Sequence, residues 1–329
     1  MAGADAVGKT DDRPLALIVA GPTCSGKSAL ALGLAERFGG TVINADAMQM
    51  YQELRVLTAR PSPADEARVP HMLYGVLPAA EAGNVAGWRD AALSAMAAAR
   101  AAGRLPILCG GTGLYFAALT EGLADIPDPG PAARAEGRAL LEEIGPAALH
   151  ARLAAVDPVT ASGLRLSDSQ RIARAWEVWR GTGKGLKAWQ EEARPEPAPW
   201  RFAAILLDPS RAALRESIAA RFDIMLEEGA LEEVRALLRR DLDPALPAMR
   251  AHGVPELAAC LRGEIPLAEA ARRARLVTGQ YTKRQATWFR HRVLAPSERT
   301  YNIRARITSF EQFSERERAG VLNFIESAG

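Results

Sequence analysis

The chain reads Gly21-Pro22-Thr23-Cys24-Ser25-Gly26-Lys27-Ser28 close to its start. This stretch fits the pattern G-x-x-x-x-G-K-[ST] of phosphate-binding loops at every defined position. The apolar run at residues 15–20 is typical of a buried parallel strand, and residues 29–38 have the spacing of a helix that Gly39 and Gly40 end. A strand, a glycine-rich loop and a helix in this order predict a binding site for a phosphorylated ligand.

Each residue type in the loop suits such a ligand. Gly21 and Gly26 let the backbone turn its N–H groups inward, and the start of the following helix adds positive dipole. Lys27 supplies a point charge for a terminal phosphate, and the Ser28 hydroxyl is placed to hold Mg²⁺, directly or through water. We therefore predict that all eight residues take part in binding. The alternative is an ordinary glycine-rich turn from strand to helix, and the full match to the pattern between a strand and a helix argues against it.

Three further strands are predicted, at residues 41–46, 105–109 and 202–208. The pattern predicts an α/β fold with a P-loop NTPase-like core, whose parallel sheet is flanked by helices, plus a small all-helical insertion domain. The predicted parts are a disordered tail at 1–13, the first part of the core at 14–125, the insertion at 126–195 and the second part of the core, with basic C-terminal helices, at 196–329. Residues after 292 are expected to be peripheral, with a terminal helix at about 310–327.

The composition is that of a soluble globular protein, since 48% of the 329 residues are hydrophobic and 24% are charged. No apolar run is long enough to span a membrane, and the first residues lack the apolar core of a secretion signal. Three cysteines and four histidines show no paired metal-ligand spacing. We therefore expect a cytoplasmic protein that acts as a monomer, without a membrane partner or a zinc site.

The net charge of +2 conceals an uneven distribution. Residues 270–297 contain no acidic side chain, and the cations among them are Arg272, Arg273, Arg275, Lys283, Arg284, Arg290 and Arg292. Tyr281, Trp288 and Phe289 are interleaved with these cations. The stretch by itself leaves two interpretations open: a surface that follows a nucleic-acid backbone and stacks on bases, or a solvated helical face.

The second predicted strand ends in Asp46, and functional side chains collect at the carboxyl ends of parallel strands. The residues alone leave three roles open for Asp46: direct catalysis, capping of the following helix, or holding Mg²⁺ through water. The third strand ends in Gly110-Gly111-Thr112-Gly113 and not in an acid, which argues against a nucleotide hydrolase. These glycines suit either the close approach of a ligand or a tight turn.

Seven segments of the chain, in order, resemble the tRNA dimethylallyltransferase (tRNA isopentenyltransferase) family of bacterial type. They extend over about residues 16–292 and read GPTCSGKSALALGLA, NADAMQMY, TARP, LPILCGGTGLYFAAL, SDSQRIARAWEVW, LRESIAARFDIML and KRQATWFR. The later segments separate this family from other P-loop enzymes. The zinc finger of some eukaryotic members has no counterpart among them.

This resemblance implies prenyl transfer. The dimethylallyl group of dimethylallyl diphosphate would pass to N6 of the adenosine 3′-adjacent to the anticodon in tRNA, with release of diphosphate. The loop would then hold the leaving diphosphate, where Lys27 and Mg²⁺ stabilise negative charge. Asp46 matches the family's general base, and Arg221 matches the arginine that contacts the diphosphate. Thr23 and Ser28 would complete the contacts to diphosphate and metal.

The resemblance also implies that the partner is the anticodon stem-loop of tRNA, whose target base must turn out of its stack to react. The implied contacts to RNA are Asp46, Ala47, Met48, Gln49, Thr112, Arg134, Gln170, Arg171, Ile172, Ala173 and Arg174. The helical insertion is thereby implied to contact tRNA, and the basic stretch at 270–292 is favoured as a further RNA contact.

Four positions depart from the family pattern. Ala47 stands where serine is common, Leu57 and Arg60 differ from the common sequence GTAKP, and Val254 replaces a frequent tyrosine. These departures affect the fine contacts to RNA and pyrophosphate, and they leave the phosphate loop, Asp46 and Arg221 intact.

Two other classes of protein share parts of this pattern. A small-molecule kinase would bind ATP in the same loop, with an acid at the end of the second strand and no need for RNA. A non-catalytic RNA-binding protein would use the loop for regulation alone. The long helical insertion and the missing acid after the third strand weigh against the kinase.

Overall fold

A parallel sheet runs through the computed structural model, which describes residues 11–329. Its strands are β1 (Leu15–Ala20), β2 (Gly40–Asn44), β3 (His71–Met72), β4 (Leu105–Gly110), β5 (Arg201–Leu207) and β6 (Thr300–Ile303). They lie in the order β3-β2-β4-β1-β5-β6, and every neighbouring pair is parallel. The predicted α/β class is confirmed, although the sequence pattern misses β3 and β6. Residues 1–10 of the predicted tail lie outside the described residues.

The helices are α1 (Lys27–Phe38), α2 (Pro63–Arg68), α3 (Val85–Ala101), α4 (Gly113–Thr120), α5 (Gly130–Val156), α6 (Pro158–Ser162), α7 (Ser169–Thr182), α8 (Leu186–Glu192), α9 (Arg211–Glu227), α10 (Ala230–Leu238), α11 (Val254–Leu261), α12 (Leu267–Arg290) and α13 (Glu315–Ala328). The chain folds into two compact units. One unit holds the sheet with α1–α4 and α9–α13, and the other consists of residues Glu121–Pro197.

The central strand β1 shows why the sheet appears in the sequence as continuous apolar runs. Ala16 and Ile18 belong to one buried apolar cluster, whereas Leu17 and Val19 belong to a second. Alternate side chains of a strand point to opposite faces of the sheet. Both faces of β1 are therefore covered, as parallel sheets require.

The helix after the phosphate loop is bounded by two glycines in the left-handed region. Gly26 has φ 94° and leads into Lys27, two residues before the predicted helix start, and Gly39 with φ 60° ends α1. A Cβ atom on Gly26 would lie 1.8 Å from the carbonyl oxygen of Ile307. Only glycine fits this position, because both its backbone conformation and its surroundings exclude a side chain.

The expectation that residues after 292 are peripheral is wrong. β6 pairs with β5, and Ile303, Ile307, Val321 and Ile325 are buried in the same apolar cluster as Leu17. Because this segment is mostly polar, its sequence pattern does not predict burial. Its four apolar side chains nevertheless pack onto the core. The predicted terminal helix corresponds to α13, which a 3₁₀ turn at Phe310–Gln312 precedes.

The unit at Glu121–Pro197 contains α5–α8, and every regular element described in it is helical, as predicted. Three residues account for the points at which its helices bend, begin or end. The helix α5 kinks at Gly145 (φ 73°) before Pro146, Asp157 caps the start of α6, and Gly183 ends α7. Its own apolar core includes Leu149, Leu153, Ala161, Ile172 and Trp176.

Candidate active site

The phosphate loop follows the carboxyl end of β1 and leads directly into α1. Lys27 is only 8% exposed, whereas Ser28 is exposed in the first turn of the helix. Cys24 adopts φ 66°, and a Cβ atom on Gly21 would lie 2.8 Å from the carbonyl oxygen of Leu207. The loop is therefore packed tightly against its surroundings, and its cation is already withdrawn from bulk water.

Arg221 of α9 lies at this loop, although about 200 residues of sequence separate it from the loop. Its Nη1 lies 3.7 Å from the Cys24 Sγ, and its Nη2 donates to the Thr58 carbonyl oxygen at 3.4 Å. The guanidinium group is half-buried. The fold thus brings a second fixed positive charge to the loop that carries Lys27.

Asp46 follows β2 at the same edge of the sheet. Its backbone is held by Asn44, whose side chain accepts from the Asp46 N–H at 2.8 Å and donates to the Asp46 carbonyl oxygen at 2.9 Å. Its carboxylate accepts from the Met48 N–H at 3.1 Å. The next N–H, of Ala47, donates to the Thr112 hydroxyl at 3.0 Å. Asp46 is therefore fixed, half-buried, between the ends of β2 and β4.

Gln285 of α12 joins the phosphate loop to the end of β4, and the sequence pattern did not single it out. Its Oε1 accepts from the Thr23 N–H at 2.8 Å and from the Thr23 hydroxyl at 3.1 Å. Its Nε2 donates to the Gly111 carbonyl oxygen at 2.9 Å. The side chain is 4% exposed, so it connects the two loops from inside the protein.

Tyr281 lies one helical turn before Gln285 and reaches the other half of the site. Its hydroxyl lies close to the side chains of Thr112 and Gln285. Burial, followed by the negative charge of Asp46, raises the pKa of Tyr281 to about 12. The phenol therefore stays neutral at ordinary pH. A basic, aromatic segment gives no specific signal for this role, so the residue could not have been chosen from the sequence.

The glycines after β4 allow the chain to approach itself closely. A Cβ atom on Gly110 would lie 2.0 Å from the Ala45 carbonyl oxygen, one on Gly111 would lie 2.2 Å from the Gln285 Nε2, and one on Gly113 would touch the Trp288 ring at 2.4 Å. These contacts are all with the protein itself, so the close approach of a ligand stays a prediction. The approaching groups in the described chain are the end of β2 and the face of α12.

The candidate RNA contacts of the first unit lie around Asp46. Ala47, Met48 and Thr112 are half-buried, and Gln49 is only 8% exposed. The Gln49 side-chain amide donates to the carbonyl oxygens of residues 58 and 59, at 2.9 and 3.0 Å. Gln49 therefore holds in place the loop whose residue 58 also accepts from Arg221.

The candidate RNA contacts of the helical unit fall into two groups. Ile172 is 0% and Ala173 is 7% exposed, and both pack in the core of that unit. Their side chains therefore stabilise α7 and do not face RNA, which corrects the expectation from the sequence. Gln170 is exposed, and the three arginines form ion pairs, namely Arg134 with Asp128, Arg171 with Asp168 and Arg174 with Glu177.

The positions that depart from the family pattern have structural roles. Leu57 and Val254 are buried in one apolar cluster, where a Cβ atom on Gly253 would come within 2.8 Å of the Leu57 side chain. Arg60 donates from Nη1 to the carbonyl oxygens of Tyr51 and Gln52. Burial, followed by repulsion from Arg55, lowers the pKa of Arg60.

The basic stretch forms most of α12, and it lines a groove of about 540 Å³ between α9 and α12. The cations around this groove are Arg211, Arg215, Arg272, Arg275, Lys283 and Arg290. Three of them are paired: Arg272 with Glu269, Arg275 with Asp223 and Arg290 with Asp208. Phe289 is buried, and Tyr281 packs edge-on against His252, so these rings stabilise the fold.

Residues 11–329 contain neither a cluster of metal-binding side chains nor a helix able to span a membrane. No group of three or more His, Cys, Asp or Glu residues there could hold a metal ion. Nor does any helix in residues 11–329 have the length and apolarity needed to cross a membrane.

Two family models match the chain. The model described as IPP transferase matches residues 49–292, and the model described as isopentenyl transferase matches residues 14–72. The chain belongs to the IPP transferase family. The first match covers the helical unit, α9 and α12, and the second covers the phosphate loop and Asp46.

Curated relatives and solved structures agree with this family. The chain is 64% identical to the tRNA dimethylallyltransferase of Granulibacter bethesdensis, over 95% of this chain and 98% of that protein. It is 62% identical to that of Gluconobacter oxydans, over 96% of each. The crystal structure of tRNA isopentenylpyrophosphate transferase from Bacillus halodurans shares 30% identity and a TM-score of 0.67, over 96% of each chain. A eukaryotic dimethylallyltransferase, 24% identical with a TM-score of 0.79, over 95% of this chain and 80% of that one, shares the fold.

Proposed function

We propose that this chain is a tRNA dimethylallyltransferase, which transfers the dimethylallyl group of dimethylallyl diphosphate to N6 of the adenosine 3′-adjacent to the anticodon. One observation carries this proposal: a phosphate loop and a carboxylate meet at one edge of the sheet, in a member of the IPP transferase family. The chain covers almost the whole length of relatives that carry this enzyme's name. The site therefore offers one place for the leaving group and one for the nucleophile.

The phosphate loop would bind the diphosphate of the donor. As the bond from carbon to the diphosphate oxygen breaks, negative charge grows on the leaving group, and fixed positive groups stabilise it. Lys27 and Arg221 supply two such charges, and the N–H groups at the start of α1 add their partial charges. Their burial strengthens these interactions, because the local dielectric constant is lower than that of water.

Asp46 would act as the general base on the acceptor side. The exocyclic amine of adenine is a weak nucleophile and must lose a proton when its nitrogen bonds to the prenyl carbon. A fixed carboxylate can accept that proton. The hydrogen bonds from Asn44 and Met48 hold Asp46 in place for this step. Thr112, which binds the Ala47 N–H, would help to shape the pocket for the base.

The residues at the loop fit Mg²⁺ as the metal. Mg²⁺ in phosphate sites is usually held by one or two protein oxygens, with water and substrate phosphate as its other ligands. Ser28 offers such an oxygen, because it is exposed at the start of α1 beside Lys27. Mg²⁺ bound there would neutralise part of the diphosphate charge. Thr23 would serve as a further polar contact to the donor.

The acceptor is proposed to be the anticodon stem-loop of tRNA. The groups in each unit that support this are Asp46 with its neighbours in the first unit and the exposed side chains Gln170, Arg171 and Arg134 in the second. Surface arginines paired with a neighbouring carboxylate can exchange that partner for a phosphate at small cost, since such ion pairs are weak. The kinase alternative is not favoured, because no acid directly follows β4 and the family is that of the prenyltransferases.

The test is a transfer assay with a defined acceptor. Purified protein, Mg²⁺ and labelled dimethylallyl diphosphate are mixed with unmodified tRNA transcribed in vitro, which is then digested to nucleosides. We expect the label on N6-prenyladenosine, and no label when the adenosine 3′ of the anticodon is replaced by guanosine. The proposal fails if the adenosine-containing transcript stays unlabelled. ATP and small hydroxyl acceptors would then be tested for kinase activity.

A further inference from the structure

The side chain of Gln285 connects two loops that the proposed reaction uses for different substrates. The loop at Thr23 belongs to the donor side, and the loop at Gly111 and Thr112 belongs to the acceptor side, next to Asp46. Gln285 is buried and hydrogen-bonds to both. The strands that precede these loops, β1 and β4, are paired with Ala20 opposite Gly110, so the sheet fixes where each loop begins. Beyond the strand ends, the Gln285 side chain joins the two loops.

The chemistry of the two partners selects an amide at this position. The Thr23 N–H can only donate, and the Gly111 carbonyl oxygen can only accept. A side chain that serves both must present one acceptor and one donor, as the amide of Gln285 does. A carboxylate could not donate to Gly111, and an aliphatic side chain would leave both backbone groups without these hydrogen bonds.

The contact also explains two local features of the sequence. Position 111 needs glycine, because a Cβ atom there would lie 2.2 Å from the Gln285 Nε2. Tyr281, four residues earlier on the same face of α12, lies beside Gln285 and beside Thr112, whose hydroxyl accepts from the Ala47 N–H. Three neighbouring side chains, those of Gln285, Tyr281 and Thr112, therefore lie between the phosphate loop and the residue beside Asp46.

We propose that Gln285 is a positioning residue that orients Thr23 of the phosphate loop for the donor diphosphate and fixes the spacing between the donor and acceptor loops. This inference rests on the proposed function. It assigns Gln285 no contact with the reacting atoms. Its effect passes through the Thr23 backbone and hydroxyl, which the amide holds at 2.8 and 3.1 Å.

The first experiment compares Gln285→Ala with Gln280→Ala. Gln280 is the matched control, since it is an exposed glutamine on the same helix. Loss of a buried hydrogen-bonding partner should raise KM for dimethylallyl diphosphate and lower kcat, reducing kcat/KM for the donor by roughly 10- to 100-fold. KM for tRNA should stay close to wild type in Gln285→Ala, and Gln280→Ala should match wild type in KM and kcat for the donor.

A merely structural role would give a different pattern. Loosening the whole fold would affect both substrates, so equal losses for donor and tRNA would overturn the proposal. An unchanged KM and kcat for the donor in a folded Gln285→Ala protein would overturn it as well. Circular dichroism and Tm identify the folded variants.

A double-mutant cycle tests whether Gln285 acts through Thr23. Thr23→Val removes the Thr23 hydroxyl bond to Gln285 and keeps the shape of the side chain. If Gln285 acts through Thr23, the double variant should bind the donor no worse than Gln285→Ala alone. If Gln285→Ala is insoluble, the cycle is run with Gln285→Glu, which cannot donate to the Gly111 carbonyl oxygen and should weaken donor binding in the same way. Fully additive losses would overturn the proposal.

Binding of Mg²⁺–pyrophosphate, measured by calorimetry, separates this inference from the proposed function. It tests the loop without tRNA and without prenyl transfer. If wild type fails to transfer the prenyl group but binds pyrophosphate more tightly than Gln285→Ala, the proposed function fails while the role of Gln285 in the loop stands. Equal pyrophosphate affinity in the two proteins would overturn that role, whatever the transfer assay shows.

Discussion

Asp46 shows how a single side chain is prepared for one chemical step. Its backbone is clamped by Asn44, and its carboxylate is half-buried and oriented by the Met48 N–H. Such fixed orientation removes the entropic cost of finding the reactive geometry during each turnover.

Asp46→Asn should lower kcat by roughly 10²–10⁴-fold, because the amide keeps the shape of the side chain but accepts no proton. Affinity for tRNA should stay near that of wild type. Single-turnover prenyl transfer measures the rate of the chemical step, and filter binding measures the affinity for tRNA. Asp90→Asn, at an exposed position of α3, is the control. Near-normal turnover in Asp46→Asn would remove this residue from the mechanism.

Arg221→Ala should raise KM for dimethylallyl diphosphate and slow its ionisation, since a half-buried positive charge beside the phosphate loop is lost. Arg221→Lys should recover only part of the loss, because lysine lacks the planar fork that reaches both Cys24 and Thr58. Arg235→Ala, exposed on α10, should behave as wild type. An unchanged dependence on donor concentration would contradict this role.

Cys109 gives a prediction about pH. Burial raises the pKa of its thiol from 9.0 to about 11, with the nearby Lys27 charge acting in the opposite direction. Because the folded pKa is the higher one, its contribution to stability is complete below pH 9 and is lost as pH rises towards 11. Cys109→Ala should flatten this part of the Tm-versus-pH curve. The native thiol should also resist alkylation at neutral pH, and rapid labelling without unfolding would contradict its burial.

At the scale of elements, α12 does two things at once. One face carries Tyr281 and Gln285 into the site, and the other presents cations to the groove beside α9. Arg215 and Lys283 are exposed members of this groove for which the described residues show no ion pair, so replacing them breaks no salt bridge within the protein.

Arg215→Glu combined with Lys283→Glu should raise KM for tRNA and reduce the salt dependence of tRNA binding, if the groove follows the phosphate backbone. The donor KM should not change. Binding measured over a series of salt concentrations checks this prediction. If the salt dependence of tRNA binding does not change, the basic stretch at 270–292 is a solvated helical face and not an RNA contact.

Gly26→Ala tests the link between the phosphate loop and the C-terminal segment. The substitution is strained at φ 94°, and its Cβ atom meets the Ile307 backbone, which cannot move easily because the Ile307 N–H donates to Ser25. We expect a lower Tm together with lost pyrophosphate binding. Gly279→Ala on α12, where a Cβ atom has nothing within 4 Å, is the matched control.

At the scale of the whole molecule, the C-terminal segment completes the sheet. β6 adds a strand beyond β5, and α13 covers the face that also holds α1. Ile325→Asp should lower Tm sharply or prevent folding, because it places a charge at a position that is 3% exposed. Glu326→Ala, the exposed neighbour, should have little effect. A stable Ile325→Asp protein would contradict the described packing.

The sequence alone determined the features that are local. The loop at 21–28, the strand before it and Asp46 after β2 follow from short patterns, in which neighbours in the chain are neighbours in space. The burial of Ile172 and Ala173 could also have been read from helical spacing, since both belong to the apolar face of α7.

Only the tertiary structure decided which distant segments meet at that site. Gln285 touches Thr23 across 262 residues of sequence, and Arg221 reaches Cys24 across 197. No periodicity records such contacts, because they depend on how α9 and α12 pack beside the sheet. The same holds for β6, whose short, mixed sequence becomes a strand only because β5 offers an unpaired edge. The sequence thus identifies the reactive groups of the site, and the packing of distant helices determines the distances between them.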